Sequence, residues 1–222
     1  MAMFAAPTTD ELHRGAFYGL FALLILPFLL EFLPFSHWVL DCTASLLNAC
    51  VLSCLLRQFL LKNIEHALKT PIKTGLFILF GFGIWVLFSF GFRVAFPDYV
   101  NLNDAAVMDD LQQSGVTGIL CTVLFAPVFE ELLFRGLLFR GMYDRSPLIA
   151  WGMCCLLFPL AHILSYLGQY TPLSMLLAFV QYLSAGLLLC FTYRQTGTMI
   201  APIIIHLLIN LFSTLQGGFL WH

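Results

Sequence analysis

Along the chain, long apolar runs alternate with short polar breaks, and few runs show the one-sided pattern of a water-facing helix. Crossing the hydrocarbon core of a bilayer takes about 20 apolar residues. Seven runs come near that length: Ala16–Phe35, Trp38–Leu61, Ile72–Phe96, Gly115–Leu138, Leu148–Gly168, Pro172–Tyr193 and Thr198–Gln216. The pattern predicts an all-α, polytopic transmembrane bundle of about seven spans. Asp41 and Arg57 fall near the ends of the second span, where such groups reach the interface. Lys62 to Lys73 reads as a short interfacial helix, and Pro97 to Gln113 as an acidic, partly helical surface stretch. No internal repeat and no Gly/Ser linker divides the chain, so residues 1–222 are expected to form a single integral membrane domain.

Composition sharpens this picture. Hydrophobic residues make up 60% of the chain and charged ones 10%, with a mean hydropathy of +0.92. Soluble domains are about 45–50% apolar and about 25% charged. The net charge of −2 and the lack of a basic run argue against a nucleic-acid partner. Seven cysteines lie in apolar runs without CxxC spacing and read as buried thiols rather than a disulfide or zinc set. The stretch from Met1 to Gly15 has no basic n-region, so a cleaved signal peptide is not expected.

Charge also sets an orientation. When the spans alternate, Arg14, Arg57, Lys62, Lys69, Lys73, Arg135, Arg140, Arg145 and Arg194 fall on one side, nine of the ten basic residues. Arg93 falls on the other, beside Asp98, Asp104, Asp109 and Asp110. The positive-inside rule then predicts a cytoplasmic N-terminus and an outside C-terminus.

Three polar sets interrupt runs that otherwise suit lipid depth: Glu130-Glu131 with Arg135, Phe158 with His162, and His206 with Asn210. Ionisable groups inside a membrane usually face a protein interior or a watery cavity and are functional by default. Glu131 and Arg135 share a helix face as an i, i+4 pair. Glu130 points about 100° away from them, so one carboxylate has a partner and the other is free for chemistry. His206 and Asn210 also share a face. A proline precedes each set (Pro127, Pro159, Pro202), and a proline removes one helix hydrogen bond and can open a bundle locally. Together the sets supply a carboxylate base, a histidine to help activate water, and donors for an oxyanion. Glu130 is the expected base with His162 beside it, His206 and Asn210 the expected oxyanion donors, and Glu131–Arg135 a supporting ion pair. Phe158 is expected to wall the site.

These motifs resemble those of the CAAX protease and bacteriocin-processing family of intramembrane proteases, which includes the type II prenyl endopeptidases. Its EExxxR, FxxxH and HxxxN/D patterns match Glu130 to Arg135, Phe158 to His162, and His206 to Asn210. The approach Arg194-Gln195-Thr196-Gly197 before Pro202 is similar too. The resemblance implies a catalytic core over about 115–216, in which the first glutamate and the middle histidine activate water and the last pair serves the oxyanion. It further implies a membrane-associated peptide or protein substrate and no cofactor. The short loops favour a bacterial cell membrane.

Other chemistries fit less well. Glu130, His162 and His206 could form a zinc set of two histidines and one glutamate with one open position, but the pairing of Asn210 with His206 favours a metal-free site. Cys155 lies about 10 Å along the helix from His162, too far for direct activation. There is no HExxH and no GxSG. A non-catalytic scaffold or bacteriocin-immunity factor, or a transporter using Glu130 as a proton site, are the alternatives outside proteolysis. One geometric conflict stands out. The span boundaries put Glu130 about 22 Å below the outer start of its span and His162 about 21 Å above the cytoplasmic start of its own, a mismatch of about 10 Å.

Overall fold

The computed structural model describes residues 5–30 and 32–220, the last four by backbone alone. The described residues form ten helices and no strand: α1 (Thr9–Leu24), α2 (Leu26–Leu30), α3 (His37–Leu55), α4 (Arg57–Lys69), α5 (Pro71–Ala95), α6 (Leu102–Ser114), α7 (Val116–Tyr143), α8 (Pro147–Ile163, ending in a 3-10 turn at Leu164–Tyr166), α9 (Pro172–Thr196) and α10 (Ile200–Leu220). The all-α bundle is as predicted.

Five helices are long and apolar enough to span a membrane: α3, α5, α7, α8 with its 3-10 turn, and α9. The first predicted span is divided into α1 and α2 around Ile25, ahead of Pro27. The second divides at Leu56, where the backbone leaves helical geometry and α4 begins. The last contributes a shorter apolar helix over Ile200–Gln216. The bundle turns its apolar side chains outward. Only 11% of the α5 span window is buried, and Phe17, Leu87 and Leu148 are each more than 70% exposed. Such a surface suits lipid and not water, and the protein is an integral membrane protein. Cys50 and Cys54 are exposed, contrary to the buried position expected of all seven cysteines, whereas Cys154 and Cys190 meet in the interior between α8 and α9.

Local chemistry sets the helix ends. Proline opens α5, α8 and α9, where its missing N–H goes unused. Gly197 closes α9 in the left-handed conformation (φ 74°), its N–H bonded to the Tyr193 carbonyl. Gly15 and Gly19, one turn apart on α1, let that helix lie directly on Leu137 and Leu133 of α7. A Cβ at Gly19 would stand 2.6 Å from Leu133 Cδ1. This is the small-residue contact typical of membrane helices.

Two polar ties hold the elements around α10. Asn63, fully buried on α4, accepts from the Met199 N–H at 2.7 Å, and its own carbonyl accepts from the Thr198 hydroxyl at 2.7 Å. α4 thus caps the start of the helix that carries His206. At the other end of α4, Glu11 accepts from the Phe59 N–H at 3.0 Å while also completing a capping box with Thr8. Two helix N-termini share one carboxylate.

α7 departs from regular helix on both sides of Ala126–Glu131. Cys121–Phe125 and Leu132–Arg140 are wound in wider, π-helical turns. Such turns appear frequently at functional sites. Pro127 brings no N–H, which leaves the Thr122 carbonyl, five residues earlier, without the donor that the wide register would supply. Asn210 of α10 fills the gap, its Nδ2 donating to Thr122 O at 2.9 Å.

Burial pushes the Glu11 carboxyl up, but hydrogen bonds from Thr8 and from the Phe59 backbone outweigh it and hold the group below its ordinary range. A depressed folded pKa stabilises the protein above the unfolded carboxyl range, and that contribution fades as pH falls through the folded value. Glu11→Gln should therefore lower stability by about 1–3 kcal/mol at pH 7. Thermal unfolding in detergent should show the gap closing as pH is lowered below 4, roughly the unfolded carboxyl range.

Candidate active site

α7, α8 and α10 bring the three polar sets to one place. Glu130 Oε2 lies 3.5 Å from His162 Nε2 and 3.8 Å from His206 Nε2. The predicted depth mismatch disappears because α7 runs on to Tyr143, past the expected end at Leu138. Counted from the turn that joins α7 to α8, Glu130 is 13 residues above Tyr143 (143 − 130), about 20 Å. His162 is 15 residues above Pro147 (162 − 147), about 22 Å. Arg135 lies fully buried inside the bundle, so it cannot serve as an interfacial charge.

The two glutamates have unlike surroundings. Glu131 is sealed: its Oε1 accepts from Arg135 Nη1 and from His206 Nδ1, both at 2.8 Å. Arg135 also donates to the Gly186 carbonyl of α9 at 3.3 Å, and its guanidinium lies 4.4 Å over the Phe158 ring. The Glu130 side chain keeps 21% exposure and that of His162 17%, against none for Glu131 and Arg135. Glu130 is the carboxylate that something outside the protein can reach.

Hydrogen bonding sets the imidazoles. His162 Nδ1 faces the Phe158 carbonyl at 2.8 Å, and His206 Nδ1 faces the Glu131 carboxylate. Both partners can only accept, so both Nδ1 atoms carry hydrogen. In the neutral ring, Nε2 then presents a lone pair. Glu130 Oε2, itself buried and without a hydrogen bond to the protein, is an acceptor as well. Two imidazole acceptors therefore stand within 4 Å of a carboxylate acceptor, an arrangement that a donating guest or an added proton would relieve.

Phe158 is more than a wall. Its ring touches the Arg135 guanidinium, stands edge-on to Phe134, and lies 4.6 Å from the His162 ring and 5.9 Å from that of His206. It fills the space between the buried ion pair and the open histidine. Asn210 shares the α10 face of His206, with one amide hydrogen engaged by Thr122.

The donor types of Glu130, His162 and His206 would suit zinc, with Glu130 Oε2 standing 3.5 and 3.8 Å from the two imidazole nitrogens. Among the described residues, no group of three or more His, Cys, Asp or Glu side chains is close enough to hold a metal ion.

Some contacts have no signal in the sequence. The Glu131–His206 bond joins positions 75 residues apart. Tyr182 of α9 stacks on His162 with centroids 4.4 Å apart and an angle of 23°. Neither pairing has a periodicity or motif that would reveal it.

Residues 112–212 match the family model for Type II CAAX prenyl endopeptidase Rce1-like proteins. That segment holds all three motifs, so the match falls on the part of the chain that carries the polar cluster. Neither the curated proteins nor the solved structures contain a match to the chain.

Removing one member of the sealed pair would strand a buried charge. Glu131→Ala should destabilise the protein by about 3–5 kcal/mol, read as loss of monodisperse protein in detergent. Exchanging both partners, as in Glu131→Leu with Arg135→Met, should recover much of that stability but no function, because His206 loses its acceptor.

Proposed function

We propose that the chain is an intramembrane endopeptidase that cleaves membrane-associated peptides or proteins with a water activated by Glu130 and His162. The observation that carries this reading is the approach of His162 Nε2 and His206 Nε2 to within 4 Å of Glu130 Oε2, an oxygen without a hydrogen bond to the protein. A water donating to Glu130 Oε2 and to His162 Nε2 suits that arrangement. Two carboxylates and one guanidinium leave the cluster one negative charge in excess, and a single added proton on an imidazole neutralises it. Neutral clusters are the affordable ones at this depth.

With that proton on His206, both of its ring nitrogens donate, Nδ1 to Glu131 and Nε2 toward the reaction space. As the water attacks the scissile carbonyl, Glu130 takes its proton. The oxyanion accepts from His206 Nε2 and from the second amide hydrogen of Asn210. Collapse of the tetrahedral intermediate returns the proton to the leaving amine, giving a carboxylic acid and an amine. Glu131, Arg135 and Phe158 hold the histidines in place. We assign residues 115–216 as the catalytic core within one membrane domain, the basic ends of the helices to the cytoplasmic side of a bacterial membrane, and a peptide bearing a lipid or hydrophobic segment as substrate.

The test compares membrane peptides from cells making wild type, Glu130→Gln or His206→Ala at equal levels. Each variant should insert and fold, and its cells should accumulate the same uncut peptides. Both variants retaining full biological function would favour a binding scaffold, and proton-coupled flux in vesicles lost with Glu130→Gln would favour a transporter. Chelation should leave cleavage intact. Loss reversed by one divalent metal would replace the metal-free site with a zinc centre held by the two histidines and Glu130.

A further inference from the structure

His162 is enclosed by more than its own motif. Its Nδ1 bond to the Phe158 carbonyl pins one atom of the ring but leaves the imidazole free to swing about that contact. The tilted Phe158 ring at 4.6 Å limits that swing only in part. The Tyr182 ring lies nearly parallel to the imidazole at 4.4 Å. Tyr182 is itself held from the polar surface helix. Its hydroxyl donates to Asp104 Oδ1 at 3.0 Å and accepts from Asn103 Nδ2 at 3.0 Å, both in the first turn of α6. Asn101 secures that turn in two ways. Its Oδ1 caps the Asn103 and Asp104 N–H groups, and its Nδ2 donates at 3.0 Å to Gln181, the neighbour of Tyr182. The Tyr170 hydroxyl takes the Leu102 N–H at 2.8 Å. The start of α6 and residues 181–182 of α9 are therefore one hydrogen-bonded unit, with the Tyr182 ring as its inner face.

We propose that Tyr182 is a positioning residue for His162, and that α6 belongs to the active site because Asn103 and Asp104 hold the Tyr182 ring against the imidazole. The proposal rests on the protease reading for its catalytic meaning, though not for its geometry. The stack keeps Nε2 aimed at Glu130 Oε2. Without it the ring turns and the pair no longer brackets one water. A mispositioning of about 1 Å in such a site lowers turnover by about 100-fold. Substrate affinity should change little, because Tyr182 acts on the histidine and not on the peptide.

The test reads the histidine directly and through turnover. The full chain, labelled with 15N-histidine and held in lipid nanodiscs, should give one Nδ1–H imidazole signal for His162, assigned by its loss in His162→Gln. Tyr182→Phe keeps the ring but cuts its bonds to Asn103 and Asp104, and should broaden that signal. Tyr182→Leu removes the stack and should replace it with an averaged or doubled one. On a farnesylated peptide ending in a CAAX sequence, in vesicles, Tyr182→Leu should lower kcat by about 10–100-fold with KM nearly unchanged, and Tyr182→Phe should lower it by a smaller factor. If the Leu variant fails to fold, Asn103→Ala with Asp104→Ala frees the same ring from the surface and should broaden the same signal. A Leu variant that keeps both the single His162 signal and its kcat overturns the proposal, and a Phe variant that matches wild type in both overturns the role given to α6. Glu130→Gln separates the two readings. It should abolish cleavage with the His162 signal intact, and if it cleaves normally the protease reading fails while the imidazole signal still decides the role of Tyr182.

Discussion

The structure depends on the ion pair between Glu131 and Arg135. Neither side chain touches the outside, and an unpaired charge at that depth would be ruinous. The pair is possible only because every neighbour serves it: His206 and Arg135 share one carboxylate oxygen, Gly186 offers a carbonyl, and Phe158 offers its ring face. Those neighbours come from α8, α9 and α10, so satisfying one buried charge fixes four helices relative to each other. The histidine that serves as a hydrogen-bond donor inward presents its other nitrogen outward. Stability and site geometry are thus two sides of the same imidazole.

Much of this is legible in the sequence because the membrane simplifies it. In lipid-depth runs any charge stands out, so Glu130, Glu131 and Arg135 announce themselves, and i, i+4 spacing separates the paired carboxylate from the free one. The all-α class follows from run length alone. Run length is less informative about helix ends. Trp38–Leu61 reads as one span, yet the backbone breaks at Leu56 and the amphipathic remainder becomes α4. It also ends α7 too early, because Phe139 to Tyr143 contains a charged residue. Arg140 is nonetheless buried, bonded to the Ala5 carbonyl and paired with Asp144, and the added turns bring Glu130 level with His162.

Contacts between distant polar residues stay hidden for a different reason. A hydrogen bond across a helix interface needs only two suitable atoms, and no local pattern records where they will meet. Asn210 illustrates this. Its spacing from His206 marks it as part of the site, but nothing in the sequence shows that Pro127 strips Thr122 of a donor and that Asn210 supplies one. The same holds for the unit in which Asn101, Asn103 and Asp104, from a stretch expected only to cover the surface, meet residues 181–182 of a predicted span about 80 positions later.

The unequal standing of the two adjacent glutamates has a consequence for descent. Glu130 Oε2 makes no hydrogen bond to the protein and stands 3.5 Å from His162 and 3.8 Å from His206. Glu131 is bound into the framework by both Arg135 and His206. A lineage could exchange Glu130 in one step and retain a folded protein. Glu131 has no such route, because its loss must be matched at Arg135 and His206 together. Divergence in this architecture would therefore run through the first carboxylate of the pair.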